Sequence, residues 1–212
     1  TIIDRFEKIK SKIKFLKSKK PVNIIAVSKT FSFEYIKPLI DYGHQHFGEN
    51  KVQEALNKWT EKKNSFKSLK LHMVGKLQTN KVKYAVTLFD YIHSLDNLRL
   101  AEKISIEQKK INKNIKIFIQ VNLGNEKQKS GINKNQLNEF YEKCINEFKL
   151  NIIGLMCIPP IEDKARLYFK ELSDLNKSLG LKNLSMGMSS DYLDAIDHGA
   201  TFIRIGSKIF GN

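Results

Sequence analysis

The sequence predicts an α/β fold: a single-domain (β/α)8 TIM barrel preceded by one extra helix. Three observations carry this. Short apolar, β-branched runs alternate strictly with amphipathic segments, which implies parallel pairing of the runs. Eight such units follow one another, each about 25 residues long. The length of 212 residues lies at the small end of the ~200 to 400 residues usual for that barrel. An open doubly wound sheet is the alternative reading of the same alternation. No low-complexity linker divides the chain, so one domain is expected over 1–212, with a leading helix over 1–20 and the barrel over 21–212.

The elements follow in order. Ile2, Phe6, Ile9, Ile13 and Leu16 recur at helical spacing with lysines between them, which predicts an amphipathic helix over 2–19 that Pro21 stops. The run VNIIAV over 22–27 reads as a strand buried on both faces. A helix is expected over 33–42, ending near Gly43, then a strand over 44–47 and a helix over 49–62. The next units are strand 71–74 with helix 79–88, and strand 91–93 with helix 95–108. The clearest strand is IKIFIQV, 115–121. Helix 134–147, strand 152–156 and helix 164–179 come next. Strand 183–185, helix 192–197 and strand 201–205 complete the series.

Composition limits what such a chain can be. It is 41% hydrophobic and 10% aromatic, enough to fill a core. Gly (11) and Pro (4) are scarce, which excludes fibrous or linker-dominated chains. No apolar run is long enough to cross a bilayer, and the N-terminus lacks a signal-peptide core. A soluble cytoplasmic protein is expected. Cys144 and Cys157 have no zinc-like spacing and read as reduced thiols near the core. The net charge of +15 first suggests nucleic acid. However, 33 of the 37 basic residues are Lys, and Arg is confined to Arg5, Arg99, Arg166 and Arg204. Specific phosphate and base readers favour the arginine fork. The lysines are spread over nearly every helical segment, so the charge reads as a solvated surface with weak, salt-sensitive adhesion to polyanions.

In a barrel the chemistry sits just after each strand. Those positions are Ser28–Thr30, Gly48–Asn50, Gly75–Lys76, Ser94, Asn122–Leu123, Cys157–Ile158, 186–191 and Gly206–Ser207. Lys29 follows the most apolar strand. At a barrel mouth it is expected to be partly desolvated, which favours the neutral amine that condenses with aldehydes; a lysine whose stem packs on the rim is the alternative. Two small-residue segments, SMGMSSD (185–191) and RIGS (204–207), each follow a strand and open a helix. Backbone N–H groups there can approach an anion, and the loops after strands seven and eight are where barrels most often hold phosphate. Asp191 could instead cap its helix. Arg204 lies within the last strand and points either into the barrel or at the helices; it has either a carboxylate partner or a ligand. Met156, Met186 and Met188 could pack on a bound ring. An aldehyde-trapping lysine, a phosphate cradle and an inward arginine at one mouth point to pyridoxal phosphate. His44 and His46 could share one strand face, but no third ligand is placed beside them, so no metal is expected. Tyr35, Tyr42, Tyr84, Tyr91, Tyr141, Tyr168 and Tyr192 default to packing roles.

The chain resembles the pyridoxal phosphate homeostasis protein family, whose fold is that of the alanine racemase N-terminal domain. The resemblance rests on AVSKT (26–30), HFGENKVQEA (46–55), HMVGKLQTNK (72–81), HSLD (93–96), QVNLGNEKQKSGI (120–132), GLMCIPP (154–160), LSMGMSSD (184–191) and FIRIGSKIFG (202–211). It implies that Lys29 carries the cofactor as an internal aldimine. It implies that Ser189, Gly206 and Ser207 bind its phosphate, that Arg204 faces the ring nitrogen, and that Asn50 lies near the cofactor. Met188 joins this set from its place in the loop. The family often has Thr where Ser207 stands, and varies where Lys76 stands.

The expected function is a non-catalytic protein that holds pyridoxal phosphate reversibly and supports its homeostasis. Pyridoxal-dependent apo-enzymes are the expected recipients. An always-charged arginine at the ring nitrogen weakens the electron sink. Racemases with that arginine draw a second acid/base from an additional domain; none is expected here, because Asn212 follows directly on the eighth unit, and no such base is found within the barrel. A slow amino-acid racemase using Lys29, and polyanion binding through the lysine surface, are the alternatives. A monomer is expected, because no long apolar stripe is left over.

Overall fold

The computed structural model describes residues 1–16, 18, 20–124, 126, 130–160 and 164–211. The helix α1 spans Ile2–Phe15 and is opened by a capping box between Thr1 and Asp4. It ends four residues short of the predicted boundary, and Lys19 lies outside the described residues. Strand β1 (Asn23–Val27) leads to α2 (Phe33–Asp41), where the Ser32 hydroxyl accepts from the Tyr35 N–H as N-cap. The chain continues with β2 (His46–Glu49), α3 (Val52–Trp59), β3 (Lys70–Met73), α4 (Val82–Leu88), β4 (Tyr91–Leu95) and α5 (Leu98–Lys110). The second half holds β5 (Lys116–Asn122), β6 (Ile132–Asn133), α6 (Leu137–Asn146), β7 (Asn151–Met156), α7 (Ala165–Ser178), β8 (Asn183–Ser185), α8 (Tyr192–Asp197), β9 (Phe202–Ile205) and α9 (Ser207–Phe210).

The strands pair in parallel in the order β1-β2-β3-β4-β5-β7-β8-β9, and β9 returns to β1. The sheet is therefore closed, and the open-sheet alternative is excluded. The short β6 lies outside this circle and pairs only with the end of β5, Val121 opposite Ile132. It was not legible in the sequence, because a two-residue bridge has no period.

Alternation along β1 explains its unbroken apolar run. Ile24 and Ala26 belong to the core between strands and helices, whereas Ile25 and Val27 belong to the barrel interior. The interior is unusual for its aromatic content: Tyr91, Phe118 and Phe202 fill it together with Ile25, Val74 and Met156. Cys144 and Cys157 are buried free thiols, and burial pushes both up to about 12.

Candidate active-site cavity at the barrel mouth

The loops at the C-terminal ends of the strands enclose a cavity of about 880 Å³. Lys29, Asn50, Met188, Ser189, Arg204, Gly206 and Ser207 all line it. Every predicted binding residue is thus brought to one place. Lys76, Gln120, Asn122, Ser130, Ile158 and Ser190 complete much of the wall.

Lys29 stands where β1 leaves the barrel. Its turn is clamped from behind. The Ser28 N–H donates to the Gly48 carbonyl (2.9 Å) and the Ser28 hydroxyl to Glu49 Oε1 (2.7 Å). The same oxygen accepts from Lys58 Nζ (2.8 Å) and from the Trp59 indole (2.9 Å), and Lys58 also donates to the Ser28 carbonyl. Glu49 is fully buried and lies within β2, not after it as the sequence suggested. Thr30 follows at φ +67°, and its N–H is held by the Glu54 carboxylate. A β-branched residue rarely adopts that conformation, so the surrounding contacts impose the sharp bend that turns the chain out of the barrel. Lys29 itself is exposed. The expected desolvation is not met, because the mouth opens to solvent at this rim.

Asn50 is placed by a close backbone approach. A Cβ on Gly75 would lie 2.3 Å from the Asn50 carbonyl oxygen, so only glycine fits between the β2 and β3 loops.

The two small-residue loops meet opposite. The Ser207 hydroxyl lies 3.3 Å from the Ser189 hydroxyl and donates to it. Gly187, at φ +95°, makes the turn; a Cβ there would sit 2.6 Å from that of Ala195. Asp191 stands at the N-cap position of α8, but its side chain makes no cap hydrogen bond and does not line the cavity. Its carboxylate accepts from the Met188 N–H (2.7 Å) and folds the loop on itself. Ser207 opens α9, whose first N–H groups have no carbonyl partner within the helix. Met188 is half-exposed on the wall, whereas Met156 and Met186 are buried core residues.

Arg204 points into the barrel, and among the described residues it forms no ion pair with a carboxylate. Its NH1 donates to Ser185 Oγ (2.7 Å) and its NH2 to the Cys157 carbonyl (2.9 Å). The residue is 5% exposed and lines the cavity floor. Burial lowers its pKa without discharging it.

His44 and His46 do not share a strand face. His44 precedes β2, bonds the His46 carbonyl (2.9 Å), and packs on Phe6 of α1. His46 points inward and meets His72, which meets His93. These imidazoles are linked nitrogen to nitrogen and do not converge on a point. Among the described residues no group of three or more His, Cys, Asp or Glu is arranged to hold a metal. Sequence spacing does not join His72 and His93 to His46. Inward parity on β2, β3 and β4 was the signal that could have joined them.

A pyridoxal phosphate group fits this donor set. A buried guanidinium without a carboxylate can serve a neutral acceptor, paired hydroxyls and an open helix start can serve an anion, and an accessible amine can serve an aldehyde. Among the described residues, the wall holds no carboxylate, imidazole, phenol or thiol; its titratable side chains are Lys29, Lys76 and Arg204. The sequence reading found no second base in the barrel; Lys76 lines the cavity.

Comparison with known proteins agrees with this geometry. The family model for the alanine racemase N-terminal domain matches residues 5–212. The chain is 39% identical over 197 residues to a pyridoxal phosphate homeostasis protein of Aquifex aeolicus, covering 89% of this chain and 86% of that one. It is 34% identical over 204 residues to the protein of that name in Escherichia coli strain K12, covering 92% and 87%. Among solved structures, PipY of Synechococcus elongatus with pyridoxal phosphate bound superposes with a TM-score of 0.88 at 34% identity over the full length of both chains. An alanine racemase of Clostridium difficile shares the fold, with a TM-score of 0.73 at 17% identity over 57% of its own length.

Proposed function

The chain belongs to the pyridoxal phosphate homeostasis protein family, built on the alanine racemase N-terminal fold, and on that premise we propose that it binds pyridoxal phosphate in the mouth cavity and holds it reversibly on Lys29. One observation carries the reading: an exposed lysine amine, two paired serine hydroxyls and a carboxylate-free buried arginine line a single cavity. When bound, the cofactor supplies an aldehyde and an electron-withdrawing ring. Lys29 would hold it through Nζ, the kind of amine that condenses with an aldehyde. Ser189, Gly206 and Ser207 hold the phosphate through hydroxyl and backbone donors. Arg204 donates toward the ring nitrogen and, being a fixed cation, disfavours its protonation. Asn50 and Met188 flank the site.

Holding rather than turnover is the role we infer. The family's naming supports it, and so does a wall without carboxylate, imidazole, phenol or thiol among the described residues. The second reading, a slow racemase, rests on Lys76 as a second amine lining the cavity. Exchange of the α-hydrogen of alanine in deuterated water separates the two. Holding predicts no exchange above free cofactor; racemisation predicts exchange lost in Lys76→Ala. Among the described residues no helix is long and apolar enough to cross a membrane, and the cofactor's recipients are proposed to be pyridoxal-dependent apo-enzymes. A monomer is proposed, and light scattering checks it.

The binding claim is tested by titrating the purified protein with pyridoxal phosphate and following its absorbance. A saturable shift in wild type that is absent in Lys29→Ala is expected. An identical shift in both overturns the assignment to Lys29.

A further inference from the structure

A column of polar rings runs through the barrel interior beneath Arg204. His46 Nδ1 lies 2.9 Å from His72 Nε2, His72 Nδ1 lies 2.9 Å from His93 Nε2, and His93 Nδ1 lies 2.8 Å from Ser185 Oγ. Ser185 Oγ in turn accepts from Arg204 NH1. The barrel interior is usually filled by branched aliphatic side chains, so three linked imidazoles need a reason. The rings are also held by stacking: His72 on Tyr91 (4.1 Å) and His93 on Phe118 (4.5 Å).

We propose that Ser185, His93, His72 and His46 form a polarised positioning chain for Arg204, with each imidazole neutral and carrying its proton on Nε2. The polarity follows from the fixed cation at one end and the dipoles that face it. A guanidinium only donates. Ser185 accepts from it; its second lone pair has room for a His93 Nδ1–H as well, but in the proposed chain it donates its one proton to His93 Nδ1, which keeps N–H dipoles from pointing at the cation. His93 must therefore carry its proton on Nε2 and donate to His72 Nδ1. His72 does the same to His46. In this direction every lone pair faces the buried cation. The reverse direction would aim successive N–H dipoles at it.

The surroundings favour uncharged rings. His72 and His93 are fully buried, and burial, with Arg204 beside His93, holds both well below the usual histidine range. His46 at the floor faces Lys70 and Lys116, which act against its protonation, and Asp90, which acts for it; Tyr91 and His72 pack on its ring. At the mouth end, Asp191 and Cys157 act on Arg204.

The chain thus does what a carboxylate would otherwise do. It presents negative dipole ends to Arg204 and fixes NH1, while the Cys157 carbonyl fixes NH2. It adds no net charge, so the guanidinium keeps its full charge for whatever lies above it. The effect on bound cofactor rests on the proposed function; the tautomers do not.

The test is long-range ¹H–¹⁵N NMR on protein labelled with ¹⁵N-histidine, first without ligand at pH 7. The expected result is the Nε2–H tautomer at His72 and His93. An Nδ1–H tautomer or an imidazolium at either overturns the chain. Ser185→Ala should then mix the His93 tautomers, shift the absorbance band of added pyridoxal phosphate and weaken its binding roughly tenfold. Ser185→Thr, which keeps the hydroxyl, should restore all three. A Ser185→Ala protein with unchanged tautomers and an unchanged band also overturns the proposal. If Ser185→Ala does not fold, the wild-type tautomers decide. If wild type binds no pyridoxal phosphate, the tautomers still decide the chain, and only the functional reading fails.

Discussion

At the scale of single residues, the proposed site separates into an amine to react and groups to orient. Lys29 is exposed at the rim, so access rather than burial is what the structure provides for its chemistry. AVSKT follows the plainest buried strand, which puts Lys29 at the mouth where it lines the cavity; its environment was misjudged because exposure depends on how wide the mouth is. Ser207 is the sharper test of the anion end. Its hydroxyl meets Ser189 across two loops, and a hydrogen bond to a charged acceptor contributes about 1.5–3 kcal/mol. Ser207→Ala is expected to weaken pyridoxal phosphate about ten- to hundredfold while leaving pyridoxal, which lacks the phosphate, unaffected. Isothermal titration with both ligands checks this; equal losses for both would remove Ser207 from the phosphate site.

At the scale of elements, the positions that shape the loops matter as much as those that touch a ligand. Gly187 turns the β8–α8 loop at φ +95° against Ala195. Gly187→Ala adds a left-handed penalty of about 1–2 kcal/mol to a 2.6 Å clash. It is expected to lower the urea midpoint and weaken cofactor binding together. Glu49 gathers Ser28, Lys58 and Trp59 on one oxygen behind Lys29. Glu49→Ala removes the nearer carboxylate partner of the Lys58 ammonium, itself 6% exposed, and leaves only that of Glu54 at 4.0 Å; breaking such a buried pair costs about 3–5 kcal/mol. Urea unfolding measures it. A loss below 1 kcal/mol would mean that water replaces the carboxylate. Glu49 also shows why boundaries were less legible than elements. HFGE begins with polar His46 and ends with buried Glu49, so the apolar pattern alone shifted the strand two residues early. By contrast, β8 and α8 fell where the pattern put them, because Gly and Ser runs flank both.

At the scale of the whole molecule, closure of the sheet brings distant residues together. His46, His72, His93 and Ser185 come from four strands, and only the barrel aligns them. Their meeting was invisible to local spacing. Closure also gives a stability profile. Burial holds His44 down to about 4, lowers His46, and holds His72 and His93 well below the ordinary value near 6.5. Above that value these rings are neutral in both folded and unfolded chains, and the stability is fully present. Below it the unfolded chain takes up protons that the folded chain refuses. Each such histidine then removes about 1.4 kcal/mol per pH unit. The thermal midpoint is expected to be flat from pH 8 to 7 and to fall steeply from 6.5 towards 4. A midpoint unchanged at pH 5 would contradict neutral burial of the column. The central claim, that Lys29 holds the cofactor, is tested most directly by reducing cofactor-loaded protein with borohydride and mapping its peptides by mass. The account predicts the added mass on the peptide containing Lys29 and on no other at stoichiometric loading. Mass on Lys76, or none retained, would contradict it.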